Sequence, residues 1–418
     1  MKKILVYCWY YPPINSSEGI VTFKLINNSK YQFDVFAQNK DQNWSYGNTF
    51  TFENKDNVRV ITAESDNIND YVKEGIEYFD KHSDEYDAVM TRITPQEVHL
   101  IGIEIKKKYP NIKFIASYGD PISTNPYYYL GGYFYSFNST KNLVNRNKGL
   151  KWKLNPIRIL KMIRWNIRAK DIKAVMDKAR YVEETSEKYA DALIFNNESQ
   201  IRWMVKDRNL LKKSYLLYHS YDLSMYGPKP EKNKKLVFSF IGHLDATRTP
   251  LPLFKAIKLL NDSVDGLSDK VVFDFYGDMD ENAMNYVKEN ELGNIIFNRD
   301  PVSYVRSLEI MQQSDWLIHI DADISAVSDE NVFFAAKIAD YFGSGTPIIA
   351  ITMKNGAVVD ALKNAGEVVL GYDENEIKNC LYSIVEKGYT VSQNAEYISK
   401  YDAKNVAAAF DKMVEEIM

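Results

Sequence analysis

The chain has 418 residues, 45% of them hydrophobic and 26% charged, with a net charge of −4 and no low-complexity run. That length and balance predict two or more ordinary globular cores and argue against a long polyanion such as nucleic acid as partner. Its two cysteines, Cys8 and Cys380, are too few and too far apart for a disulfide framework and suit a reducing cytosol, and no window of about 18 uncharged apolar residues is present to span a membrane.

The run Ile4 to Trp9, ended by Pro12 and Pro13, reads as the first buried strand of a parallel sheet rather than a signal peptide. Asn15-Ser16-Ser17-Glu18-Gly19 leads into a helix predicted from about Val21 to Ser29. A glycine here lets a ligand approach N–H groups at a helix start, although many such loops carry Gly for the turn alone. Strands are predicted at 33–37, 58–61, 88–91 and 114–117, with helices at 68–82 and 96–108, the alternation of a doubly wound α/β domain. The fourth of these strands runs into Tyr118-Gly119-Asp120-Pro121, at the edge where open α/β sheets bind ligands. Asp120 can orient or deprotonate a hydroxyl there, or cap the turn before Pro121. Arg92 is a weaker candidate on the same edge.

The segment 141–180 departs from the rest. It holds thirteen Lys and Arg against Asp171 and Asp177, a charge of +11 that leaves −15 for the remainder. Trp152, Ile157, Leu160, Ile163 and Trp165 interleave with the basic residues, as in an amphipathic element on an anionic membrane surface. The competing expectation is that this apolar side packs on the protein's own core. Aromatic residues at 127–135 suit an interface or sugar stacking.

Further strands are predicted at 192–197 and 215–219, closing a first domain over 1–225. Residues 226–235 are polar with two prolines and read as a linker. A second domain, 236–400, opens with the strand Leu236 to Ile241, then Gly242, then Arg248 and a helix from about Leu251. Strand, glycine, cation and helix make a phosphate-binding arrangement in which N–H groups and Arg248 act on one diphosphate; a surface ion pair is the plainer role for Arg248. Strand ends at Gly277 and at Pro301-Val302 follow. The stretch 333–350 reads as a helix ending at Gly343 or Gly345, a tight turn and a buried strand from Ile348. Lys337 and Asp340 sit three apart on it, on one face. No His/Asp/Glu cluster has metal-ligand spacing.

Lys337, Asp340, Tyr341, Gly345 and Pro347 follow the spacing K-x-x-[ED]-Y-x-x-x-G-x-P. The stretch resembles the signature of GT-B glycosyltransferases, in particular the retaining family 4 and its bacterial polysaccharide-assembly relatives. The resemblance covers most of the second domain and, more loosely, the first. It implies two Rossmann-like doubly wound domains facing a cleft, with the last helix (401–418) crossing back to the first domain. It further implies transfer of a sugar, with retention, from a nucleotide diphosphate sugar such as a UDP-sugar to a glycan or polyprenyl-diphosphate-linked acceptor. Such an enzyme needs no metal or other cofactor and would sit in the cytoplasm, peripheral on the inner face of the cell membrane.

By the same resemblance Gly19 and Gly242 face the donor diphosphate, and Arg248 and Lys337 clamp it. Gly277, Pro301 and Val302 surround the base, and Asp340 accepts the ribose hydroxyls. One departure stands out: the family's first glutamate falls at Val332, and Glu330 is two residues early. Two other classes fit the same features. One is a UDP-sugar 2-epimerase of the same fold; the other is a non-catalytic partner in a glycan-assembly complex.

Overall fold

The computed structural model describes residues 2–38, 50–127, 155–157, 159–160, 163, 170–231, 233–245 and 247–418. In the first half, β1 (Lys3–Cys8), β2 (Gln32–Ala37), β3 (Val58–Thr62), β4 (Ala88–Arg92), β5 (Lys113–Ser117), β6 (Ala192–Phe195) and β7 (Ser214–Leu216) form one sheet. Its order is β3-β2-β1-β4-β5-β6-β7. In the second half, β8 (Leu236–Ile241), β9 (Val271–Tyr276), β10 (Ile296–Arg299), β11 (Trp316–Ile320), β12 (Ile348–Ile351) and β13 (Val368–Leu370) form a sheet of order β10-β9-β8-β11-β12-β13. All recorded pairings are parallel. These are two Rossmann-like layers, as expected from the sequence.

The apolar runs dictate this arrangement. Ile4 to Cys8 are at most 1% exposed, which requires cover on both sheet faces. Strand order reverses between β1 and β4 and between β8 and β11. Those are the points at which an open parallel sheet parts its following loops and leaves a crevice beyond the strand ends. The predicted strands fall on the observed ones with ends shifted by a few residues.

Two helices differ from expectation. The first spans Ser17–Asn28 and starts well before Val21, because Ser16 caps it, its hydroxyl accepting from the Gly19 amide at 3.0 Å. The signature helix spans only Lys337–Ser344, so Phe333 to Ala336 precede it. The Phe333 amide donates to Asn331 Oδ1 at 3.1 Å, and the two rings go separate ways. Phe333 stacks on Tyr127 at 4.7 Å and Phe334 on Tyr401 at 5.8 Å. Those anchorages hold the segment out of helical register. Its far end stops as expected, with Gly345 left-handed at φ +68°.

The helix Ala403–Ile417 packs back on the first sheet's side of the molecule. Phe410 meets Phe33 at 6.2 Å, and Asp411 accepts from the Ser29 hydroxyl at 2.5 Å and the Lys30 amide at 3.1 Å. Most of the basic segment 141–180, and residues 128–135, lie outside the described residues. Among the described residues no helix is long and apolar enough to cross a membrane.

Candidate functional site

The ends of β8 and β9, the residues after β10, and three helices line a cleft of about 320 Å³. Those helices are Ser17–Asn28 from the first half and Tyr304–Gln313 and Lys337–Ser344 from the second. Six residues singled out from the sequence meet there: Gly242, Gly277, Pro301, Val302, Lys337 and Asp340. Lys24, Tyr276 and Tyr304 join them.

The glycines make room for a cation. Gly242 has φ +137° and Gly277 φ +131°. A Cβ on Gly277 would stand 2.2 Å from the Gly242 carbonyl oxygen, and one on Gly242 only 2.9 Å from Lys337 Nζ. Without those side chains the Lys337 ammonium reaches the end of β8, donating to the Ile241 carbonyl at 3.0 Å. It also lies 4.0 Å from the centre of the Phe240 ring. Burial pulls its pKa down to about 7; Arg248 acts in the same sense and Asp321 opposes. An arriving anion would reverse that trend. Because Lys337 is the first residue of its helix, the partial positive charge of the helix start adds to its own.

Asp340, one turn on, faces the other way. Its Oδ1 accepts from Lys24 Nζ at 2.5 Å and from the Tyr304 hydroxyl at 3.0 Å. The Tyr226 hydroxyl holds its main-chain oxygen at 2.8 Å. Lys24 is 1% exposed and Asp340 5%, so the two halves meet here through a buried ion pair. Burial raises the Asp340 pKa, and Lys24 works against that rise.

On the first half's side, Arg92 is the last residue of β4. Its Nε donates to Glu18 Oε2 at 2.9 Å and its Nη1 to Ser117 Oγ at 2.9 Å. Gly119 leaves a gap that the Glu18 carboxylate fills: a Cβ there would be 2.6 Å from Oε1. The neighbouring Asp120 lines a separate hollow of about 220 Å³ with Thr94, Gln96 and Asn125. The surrounding protein raises the Asp120 carboxyl to about 7, Glu18 adding and Arg248 opposing. Its side chain remains open to solvent, and water moderates the effect.

Arg248 stands outside the lining of the main cleft. Its amide donates to Asp245 Oδ1 at 3.0 Å and its Nη2 to the Tyr127 hydroxyl at 3.3 Å. Its buried Nε has no hydrogen-bond partner among the described residues. It is close enough to Lys337 and Asp120 to shift both.

Two expected residues are placed elsewhere. Gly19 lies inside the first turn of its helix, and its N–H, expected to face a ligand, is taken by Ser16. Glu330 turns away to Arg202 at 2.5 Å, and Val332, at the family's glutamate position, is buried. Sequence reasoning passed over Lys24, Tyr304 and Glu18. Lys24 sits in Gly19–Asn27, a helical run that the structure shows to be buried throughout, where a charge requires a partner. Among the described residues no group of three His, Cys, Asp or Glu could hold a metal ion.

No protein-family model matches this sequence, and the curated proteins contain no match. Solved structures do resemble it. Anabaena Alr3699/HepE in complex with UDP is 11% identical with a TM-score of 0.60, covering 100% of both chains. Sucrose-phosphate synthase from Thermosynechococcus elongatus is 12% identical with a TM-score of 0.58, covering 100% of this chain and 95% of that one. A Listeria monocytogenes structure assigned as a UDP-N-acetylglucosamine 2-epimerase is 10% identical with a TM-score of 0.54, covering 100% and 98%. At such identities the likeness concerns architecture alone: this chain has the GT-B fold.

Proposed function

We propose that the chain is a glycosyltransferase that takes a sugar from a UDP-sugar and transfers it, with retention, to a hydroxyl of a glycan or lipid-linked acceptor. The observation that carries this reading is the convergence of Gly242, Gly277, Pro301, Val302, Lys337 and Asp340 on one cleft between the two sheets. Charge grows on the departing diphosphate in such a reaction, and donors already aimed at it lower the barrier. Lys337, the helix start behind it and Arg248 supply that positive charge. Asp120 receives the proton of the acceptor hydroxyl. The UDP held by HepE supports uracil as the base; the motif resemblance supports retention.

The test is thermal stabilisation by UDP, GDP, ADP, CDP and dTDP. UDP alone should stabilise the protein, and Lys337→Ala should remove the effect. No response to any nucleotide would sink the reading.

The basic segment is proposed to hold the enzyme on an anionic membrane surface. Ile157, Leu160 and Ile163 within it are 65%, 68% and 42% exposed, apolar side chains of the kind that insert into such a surface. Binding to anionic vesicles that weakens with added salt is the expected result; no binding at low salt would refute it. The 2-epimerase reading draws on the Listeria likeness. Conversion of a UDP-sugar to its epimer without an acceptor would establish it.

A further inference from the structure

Lys24 has no part in the reading above, yet it lines the same cleft and ends on a residue central to that reading. It belongs to the helix Ser17–Asn28, whose residues Gly19 to Asn27 are all buried. Its ammonium donates to the Ser220 carbonyl at 2.8 Å and to Asp340 Oδ1 at 2.5 Å, and stands 5.3 Å from the centre of the Tyr304 ring. The Tyr304 hydroxyl donates to the same Oδ1. One oxygen of the carboxylate offered to the ribose hydroxyls is thus already serving two other donors. One of them comes from the opposite half of the molecule.

A buried ion pair is a poor source of stability, because desolvating both charges offsets much of their attraction. An apolar pair of similar volume would brace the two halves as well. The ion pair does something an apolar pair cannot: it presents to Asp340 an N–H donor in place of a hydroxyl donor.

We propose that Lys24 is a stand-in for the nucleotide's ribose, occupying Asp340 until a nucleotide takes its place. The proposal rests on the donor-site reading of the cleft. On nucleotide entry the ribose hydroxyls take over Asp340 Oδ1, and Lys24 is released from the second half while keeping the Ser220 carbonyl. The interdomain tie then opens only for a ligand able to replace it, which makes the first half a contributor to donor selection. A diphosphate lacking ribose hydroxyls cannot make the exchange.

The experiment compares UDP and 2′,3′-dideoxy-UDP by calorimetry on the wild type, Lys24→Met and Lys24→Gln. Should the Met variant fail to fold, the Gln variant removes the charge and keeps a donor for the Ser220 carbonyl; its gain should be smaller, because its amide still donates to Asp340. With the competitor removed, UDP should bind about tenfold tighter, the scale of one charge-assisted hydrogen bond. The dideoxy analogue should bind as it does to the wild type. Equal effects on both nucleotides, or weaker UDP binding, would reduce Lys24 to a brace and overturn the proposal. Failure of the wild type to bind UDP would instead overturn the donor-site reading beneath it.

Discussion

Two lysines reach the same cleft from opposite halves of the molecule, and their surroundings differ. Lys24 is buried against a carboxylate and a carbonyl, with its charge matched. Lys337 has a carbonyl and an aromatic face, and a second cation, Arg248, nearby. The first is a satisfied charge and the second an unsatisfied one. An anion gains little from Lys24 and much from Lys337. The contrast shows how one residue type serves as a fastener on one wall and a receptor on the other.

The largest effect expected from breaking this contrast falls on the fastener. Asp340→Ala strands the Lys24 ammonium in a dry site and should cost about 3–5 kcal/mol of stability, read from urea unfolding. The double variant Lys24→Met/Asp340→Leu should regain most of that loss. If Asp340→Ala costs under about 1 kcal/mol, the pair is not the desolvated contact described above.

The receptor responds differently. Lys337→Ala should raise stability below pH 7, because it removes a charge that burial disfavours, while weakening UDP binding by about 1.5–3 kcal/mol. Its pH dependence has a defined sign. The folded pKa, about 7, lies below the ordinary 10.5, so between those values the unfolded chain holds a proton that the native one releases. Stability arising from this group therefore rises from pH 7 toward 10.5, and its cost is fully present below pH 7. UDP binding runs the opposite way, because the diphosphate favours the charged amine. Affinity should fall from pH 7 to 9 in the wild type and stay flat over that range in Lys337→Ala, as read by calorimetry. A flat wild-type profile would place Lys337 away from the phosphates.

These two lysines also mark how far the sequence could be read. The strands were legible because long apolar runs between turn residues leave a parallel sheet as the economical solution. Lys337 was legible because a helix, a glycine turn and a strand follow it at fixed spacing. Lys24 was not read, since its partner lies 316 residues away and no local pattern announces it. The early start of the first helix was missed through its Ser16 cap, and the late start of the signature helix through Phe333 and Phe334. In the latter case helical propensity lost to two ring contacts distant in sequence, with Tyr127 of the first half and with Tyr401. By sequence Glu18 belongs to the loop 15–19 and, with Gly19, to the looser resemblance of the first domain. Its place beside Gly119 exists because a side chain is missing 101 residues further along the chain.

That neighbour supplies the smallest effect and the most specific one. Glu18 and Arg248 are the charged groups bearing on Asp120, and Arg92 pairs with Glu18. If Asp120 accepts the acceptor's proton, turnover should fall as pH drops below about 7, with an acid limb above the ordinary carboxylate range. Glu18→Gln removes one of the influences that hold that value up. The amide oxygen can still accept from Arg92 and fill the space beside Gly119, so the wall should keep its shape. The acid limb of kcat/KM should therefore move to lower pH, by less than about one unit for a single partly solvated charge. Donor binding should not change, because Glu18 is absent from the lining of the main cleft. A limb that stays in place would mean that Asp120 is not the titrating group, and a limb that moves up would reverse the sign of the Glu18 interaction. An equal loss of UDP affinity would show that the two walls cannot be separated, and the division between fastener and receptor would then fail.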